Sequence, residues 1–119
     1  MRESLLNKFS YKVTSELLHA EMKHPEFCTK FLDPSFNWEE KEKIYKIMNS
    51  HSPYYADTIL LEEVAEAMSA YQQGNKVHCL QELSQCGAVI FRMMEQVESE
   101  IIQERNKNAE KILNELQKE

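Results

Sequence analysis

Two glycines and three prolines are all that this chain of 119 residues has for building turns. Ordinary usage, roughly 7% and 5%, would supply about 14. Sandwiches, barrels and hairpin meanders need turn residues every ~8–12 positions, and loops that cradle phosphate need clustered glycines, so supply alone argues against both. Neither G-x-x-x-x-G-K nor G-x-G-x-x-G occurs. What remains is an all-α chain of long helices with few breaks. Its length suits one domain over 1–119, and 42% apolar with 29% charged residues is a folding composition rather than a disordered one.

Hydrophobic periodicity near 3.6 recurs in four stretches. The first, about Ser4 to Lys23, aligns Leu5, Phe9, Val13, Leu17 and Ala20 and stops before Pro25, which disfavours helix at His24. An irregular segment reaches to Phe36, a lid or a dimer contact by expectation. Asn37 with Glu40 three positions on has the form of a capping box, opening a helix of about Trp38 to Met48. Ser52-Pro53 suits a cap and first helical position for a third helix from about Tyr54 to Gln73. Gly74 then closes that helix and Asn75 caps a fourth from about Lys76. The fourth keeps Cys79, Leu83, Cys86, Ile90, Met93, Val97 and Ile101 on one stripe. The stripe lapses around Glu104 to Asn108 and resumes at Ala109, Ile112, Leu113 and Leu116, a tail either packed on a partner chain or frayed.

Charge and cysteines limit the partners. Twenty acidic against fourteen basic residues give −6, the wrong sign for bulk DNA or RNA binding. Charges interrupt the apolar N-terminal positions, so neither a signal peptide nor a membrane span is expected, and a cytoplasmic address is. Cys28, Cys79 and Cys86 form no C-x-x-C pair and suit reduced, structural thiols. Glu16-x-x-His19 and Glu21-x-x-His24 resemble di-iron ligand pairs but sit on one helix, where a bundle needs two.

The third and fourth helices carry the informative acids. At about 100° per residue, Leu60, Val64, Met68 and Tyr71 form the expected core stripe, while Glu63 and Glu66 share a small-apolar sector with Ile59, Ala67 and Ala70. Glu62 falls with Ser69 and Gln73 on a more solvated sector. On the next helix Glu82 and Gln85 lie among Cys86, Val89 and Met93. Counting up from the Gly74-Asn75 turn at ~1.5 Å per residue, Glu66 comes level with Glu82, and Glu63 with Gln85. Three carboxylates and one amide thus meet in a small volume. Burying them together requires raised pKa values or a cation, and oxygen-only donors favour Mg²⁺ or Mn²⁺.

The pattern Glu62-Glu63-x-x-Glu66, fifteen residues, then Glu82-x-x-Gln85 resembles the E-E-x-x-E…E-x-x-D signature of the MazG-like, all-α nucleoside triphosphate pyrophosphohydrolases. The resemblance covers mainly Tyr54 to Val97. It implies a helical bundle built on the motif-bearing hairpin at about 54–103. It also implies Mg²⁺ held by Glu63, Glu66 and Glu82, with Glu62 a ligand or a base that orients water. The reaction would convert a (d)NTP to the monophosphate and pyrophosphate, in nucleotide-pool house-cleaning. Gln85 stands where the signature has Asp; its amide carbonyl can coordinate Mg²⁺ but supplies no charge. The alternative reading is therefore a weakly active or non-hydrolytic nucleotide-binding or protein-interaction module.

Triphosphate needs cations and a base needs stacking surface. Lys43, Lys46, Lys76 and Arg92 are the candidate cations, and Trp38, Tyr54 and Tyr55 the candidate aromatics. Two long helices carry more apolar perimeter than one short partner helix can cover, so a homo-oligomer, dimer or tetramer, is expected with the fourth helix as its seam.

Overall fold

A tight reversal between the last two helices sets the architecture. The computed structural model describes residues 2–118, in which four helices follow one another: α1 (Arg2–Lys23), α2 (Trp38–Met48), α3 (Ala56–Gln72) and α4 (Lys76–Gln117). No strand occurs among the described residues. Gly74 holds φ at +82°, in the left-handed region. Its amide donates to the Tyr71 carbonyl at 3.0 Å, and the Asn75 amide donates to Ala70 at 2.9 Å, the pair of bonds that closes a helix in a Schellman turn. The Asn75 side-chain oxygen accepts from the His78 amide at 3.0 Å and so caps α4. Residues 73–75 are the whole link, and α3 and α4 run antiparallel.

Asn37 caps α2 as its spacing predicts, its side-chain oxygen accepting from the Glu40 amide at 3.1 Å. The start of α3 differs from expectation. The helix begins at Ala56 after Tyr55, and Ser52 does not cap it. Its first turn is organised by other residues: the Thr58 hydroxyl donates to the Tyr55 carbonyl, and Asn49, the C-cap of α2, donates its side-chain amide to the Thr58 carbonyl at 2.8 Å. That bond joins α2 to α3 at the point where the chain turns back.

Helix α3 is the middle layer, packed between α2 and α4. Ala67 and Ala70 bury against Cys79 of α4, with Met68 and Tyr71 around them. Ala65 and Ser69 are buried as well, on the sector of Glu62 that meets α2. Small residues on both sides let three helices approach closely, and the expected large stripe of Leu60, Val64, Met68 and Tyr71 is only half-buried. On α4 the expected stripe is also displaced. The buried edge is Cys79, Glu82 and Cys86, continued by half-buried Val89 and Met93, whereas Leu83, Ile90, Val97 and Ile101 are exposed. Relative to the sequence reading, α4 is rotated by about 50° toward Glu82.

Helix α1 touches the rest near its start. Phe9 is buried against Phe91, ring centroids 6.4 Å apart, and Arg2 and Lys8 pair with Glu95 and Glu98 at 3.1 and 3.0 Å. Of its predicted stripe, Phe9 is buried, Leu5 is half-buried, and Val13, Leu17 and Ala20 are exposed. The irregular segment then returns to the hairpin turn, where Phe31 packs 4.2 Å from Tyr71 and Gln72 donates to the Phe36 carbonyl.

The turn chemistry sets a measurable expectation. Asn75→Ala removes the α4 cap and should lower the unfolding free energy by about 1 kcal/mol, and Gly74→Ala, forced into the left-handed region, by about 1–2 kcal/mol. Urea denaturation checks both, with Asn75→Asp, which keeps an acceptor, close to wild type.

Candidate functional site

The rotation of α4 turns Glu82 into the α3 interface, where it is 7% exposed. Glu63 and Glu66 meet it from α3, one turn apart and half-buried. One carboxylate oxygen from each of the three lies within 4.8 Å of the other two. The level count above the turn therefore holds. Gln85, exposed at the outer edge, sits over the same group: with its amide nitrogen facing inward it donates to Glu63 Oε2 at 3.0 Å and Glu82 Oε2 at 3.3 Å. The opposite orientation would set a carbonyl oxygen against two carboxylates.

Helix α2 forms a wall of the site. Lys46 Nζ lies 2.9 Å from Glu42 and 4.0 Å from Glu66. Asn49 Nδ2 donates to Glu62 Oε1 at 3.1 Å while also holding the Thr58 carbonyl. Glu62 is thus no solvated residue; it is half-buried and oriented from α2. On α4, His78 Nε2 is 3.5 Å from Glu82 Oε1. Asn49, Glu42 and His78 were not identified from sequence. Glu42 and Lys46, spaced four apart, were legible as a helical pair, but nothing in the order of residues tells that Asn49 and Glu62, thirteen apart, share a bond.

Electrostatics follow from the crowding. Burial pushes the Glu63 carboxyl above its ordinary value, with Glu82 and Glu62 adding to the shift. Burial likewise pushes Glu66 up to about 8, assisted by its hydrogen bond with Glu82 and by the charge on Glu63. Lys46 is raised, chiefly by its bond to Glu42. The Cys86 thiol beside the cluster is pushed up by burial first and then by Glu63 and Glu82, so it stays protonated and offers no thiolate. The donor set is therefore oxygen, three carboxylates whose full ionisation is disfavoured without a cation. Those residues fit a hard divalent ion such as Mg²⁺ or Mn²⁺.

The other predicted site residues are dispersed. Arg92 lines a cleft of about 340 Å³ with Tyr54, Ile59, Val89, Met93 and Gln96. Ile59 and Val89 lie one turn beyond Glu63 and Gln85 on the same faces, so this cleft continues the acidic groove. Lys76 lies 5.9 Å from the Tyr71 ring at the hairpin turn. Trp38 stacks on Phe36, with its buried Nε1 unpartnered among the described residues. Tyr55 is exposed at the start of α3, and Lys43 pairs loosely with Glu39. Of the candidate cations, Lys46 alone pairs with the cluster among the described residues.

A raised carboxyl pKa has a definite sign. Between the unfolded value near 4.5 and about 8, native Glu66 holds a proton that the unfolded chain has released, so stability without added metal is greatest at low pH in this window and falls toward pH 8. Glu66→Gln should flatten that decline and raise the melting temperature at pH 8 by roughly 3–6 °C, about 1 kcal/mol. Mg²⁺ should do the same for the wild type. Thermal unfolding from pH 5 to pH 8, with and without Mg²⁺, reads all three.

Compared with family models, curated proteins and solved structures, the chain has no significant match in any of the three.

Proposed function

We propose that this chain is a Mg²⁺-dependent nucleotide pyrophosphohydrolase of MazG-like type, converting a (d)NTP to the monophosphate and pyrophosphate in cytoplasmic nucleotide-pool house-cleaning. The observation that carries the reading is the convergence of Glu63, Glu66 and Glu82 carboxylate oxygens within 4.8 Å on the hairpin bearing the E-E-x-x-E…E-x-x-Q pattern. Those three residues would hold the metal. When bound, Mg²⁺ supplies charge neutralisation for the triphosphate and acidifies a water.

The protein's own groups then have separable tasks. Glu62 has one oxygen, Oε1, committed to Asn49, which leaves Oε2 to orient a water and take its proton. Lys46, held by Glu42 at the rim, supplies a mobile cation for phosphate oxygens. Arg92 and Gln96 place donors along the continuing cleft, with Tyr54, Ile59, Val89 and Met93 giving it apolar walls for a base. Gln85 restrains Glu63 and Glu82 through its amide rather than adding a fourth charge. That last contact also supports a second reading, a nucleotide-binding module without efficient turnover, because the site has one formal charge fewer than the signature.

Pyrophosphate release from a panel of (d)NTPs with Mg²⁺ or Mn²⁺ tests the proposal, and nucleotide binding without release would favour the module. Glu66→Gln and Glu82→Gln should each lower release by roughly 100-fold or more, beyond the 10–100-fold cost of losing an outer partner, and Asn49→Ala by about tenfold. Gln85→Asp exchanges a two-bond restraint for charge and should tighten Mg²⁺ in direct titration; unchanged affinity would remove position 85 from the metal's surroundings.

A further inference from the structure

Helix α2 carries Glu42, Lys46 and Asn49 at i, i+4 and i+7, on one stripe of the helix. Asn49 bonds Glu62, Lys46 Nζ comes to 4.0 Å from Glu66, and Gln72 bonds the Phe36 carbonyl just before α2, so α2 runs antiparallel to α3. In that register Glu42 falls about one turn beyond Glu66, toward the Gly74 end of α3. It is not among the three converging carboxylates.

Lys46 is therefore shared unequally. Its Nζ donates to Glu42 at 2.9 Å, a full hydrogen bond, while Glu66 stands at the outer limit of pairing. The Lys46 side chain is 52% exposed and its four-carbon stem is flexible, so Nζ has room to move between the two acids. The bond to Glu42 is the chief reason that the ammonium is held above its ordinary value, with Glu66 and Glu62 acting in the same sense. A cation so placed offsets part of the crowding among the acids, and it repels any second cation that enters.

We propose that Lys46 is an internal competitor of the metal and that Glu42 is the positioning residue that draws it aside. With Lys46 on Glu42 the three carboxylates are open to a divalent ion, whereas Lys46 on Glu66 opposes the ion's entry. The inference rests on the reading of these acids as a metal site and adds to it how occupancy is controlled. Once an ion is bound, repulsion keeps Nζ at the rim, where phosphate oxygens would meet it.

Mn²⁺ alone is the probe, its free fraction counted from the electron paramagnetic resonance signal, with Mg²⁺ titrated in as competitor at one pH. Lys46→Met should tighten both ions by roughly three- to tenfold, the scale of an exposed charge beside a divalent ion. Glu42→Gln should weaken them by about two- to fivefold, because a neutral amide no longer holds the ammonium away from Glu66. The double variant supplies the readout that a purely structural Glu42 would not move: it should bind as Lys46→Met alone does, since Glu42 acts only through the lysine. Lys46→Gln keeps a polar side chain, should also tighten both ions, and decides the matter if the methionine variant does not fold. Unchanged or weaker binding in the folded Lys46 variant would overturn the proposal, and so would a Glu42→Gln loss that persists in full in the double variant; either result leaves the metal site standing. A wild type that binds neither ion would overturn the metal site and this control of it together.

Discussion

The close approach of α3 and α4 over Ala67, Ala70 and Cys79 is the contact on which the rest of the structure depends. Small side chains at a helix contact let the two axes come nearer than a row of Leu and Ile does. Choosing the small-residue face rotates α4 and has two consequences at once. Glu82 enters the interface, and the large apolar stripe of Leu83, Ile90 and Val97 turns outward. The acidic cluster and the open seam are two results of one packing choice.

That choice leaves a charge problem that the chain solves only in part. Lys46 lies 4.0 Å from Glu66, Gln85 donates to two of the acids, and His78 stands 3.5 Å from Glu82. These groups soften the repulsion without removing it, as the shift of Glu66 to about 8 records. Where a lysine pairs closely with a carboxylate, as Lys8 does with half-buried Glu98, the carboxyl is held below its usual range. The upward shifts at Glu63 and Glu66 follow from burial first and from the neighbouring acids after it, so the lysine and amide partners leave the crowding uncompensated.

Helix α2 contributes orientation to the site. Asn49 ends α2, fixes the first turn of α3 and holds Glu62, so one amide group couples the position of a helix to the direction of a carboxylate. A change that shifted α2 along α3 would reach Glu62 and Lys46 together, because both are referred to the same wall.

Local chemistry was sufficient to read much of this from the residues in order. Scarce glycine and proline leave an all-helical chain; Asn37, Gly74 and Asn75 mark their caps through bonds that span three to five residues; and the tight turn makes heights on α3 and α4 countable, which places Glu63, Glu66 and Glu82 together. What depends on contacts between distant residues was not legible. Periodicity identifies an apolar face but does not say which edge of it a neighbour will cover, so Leu83, Ile90, Val97 and Ile101 are expected inside where the structure leaves them exposed. The same limit hid the Asn49–Glu62 bond, the start of α3 at Ala56 and the exposure of α1 beyond Phe9. Tertiary structure decided those because each depends on groups distant along the chain, as Asn49 is from Glu62 and Ala67 from Cys79, and how the helices pack sets which of them meet.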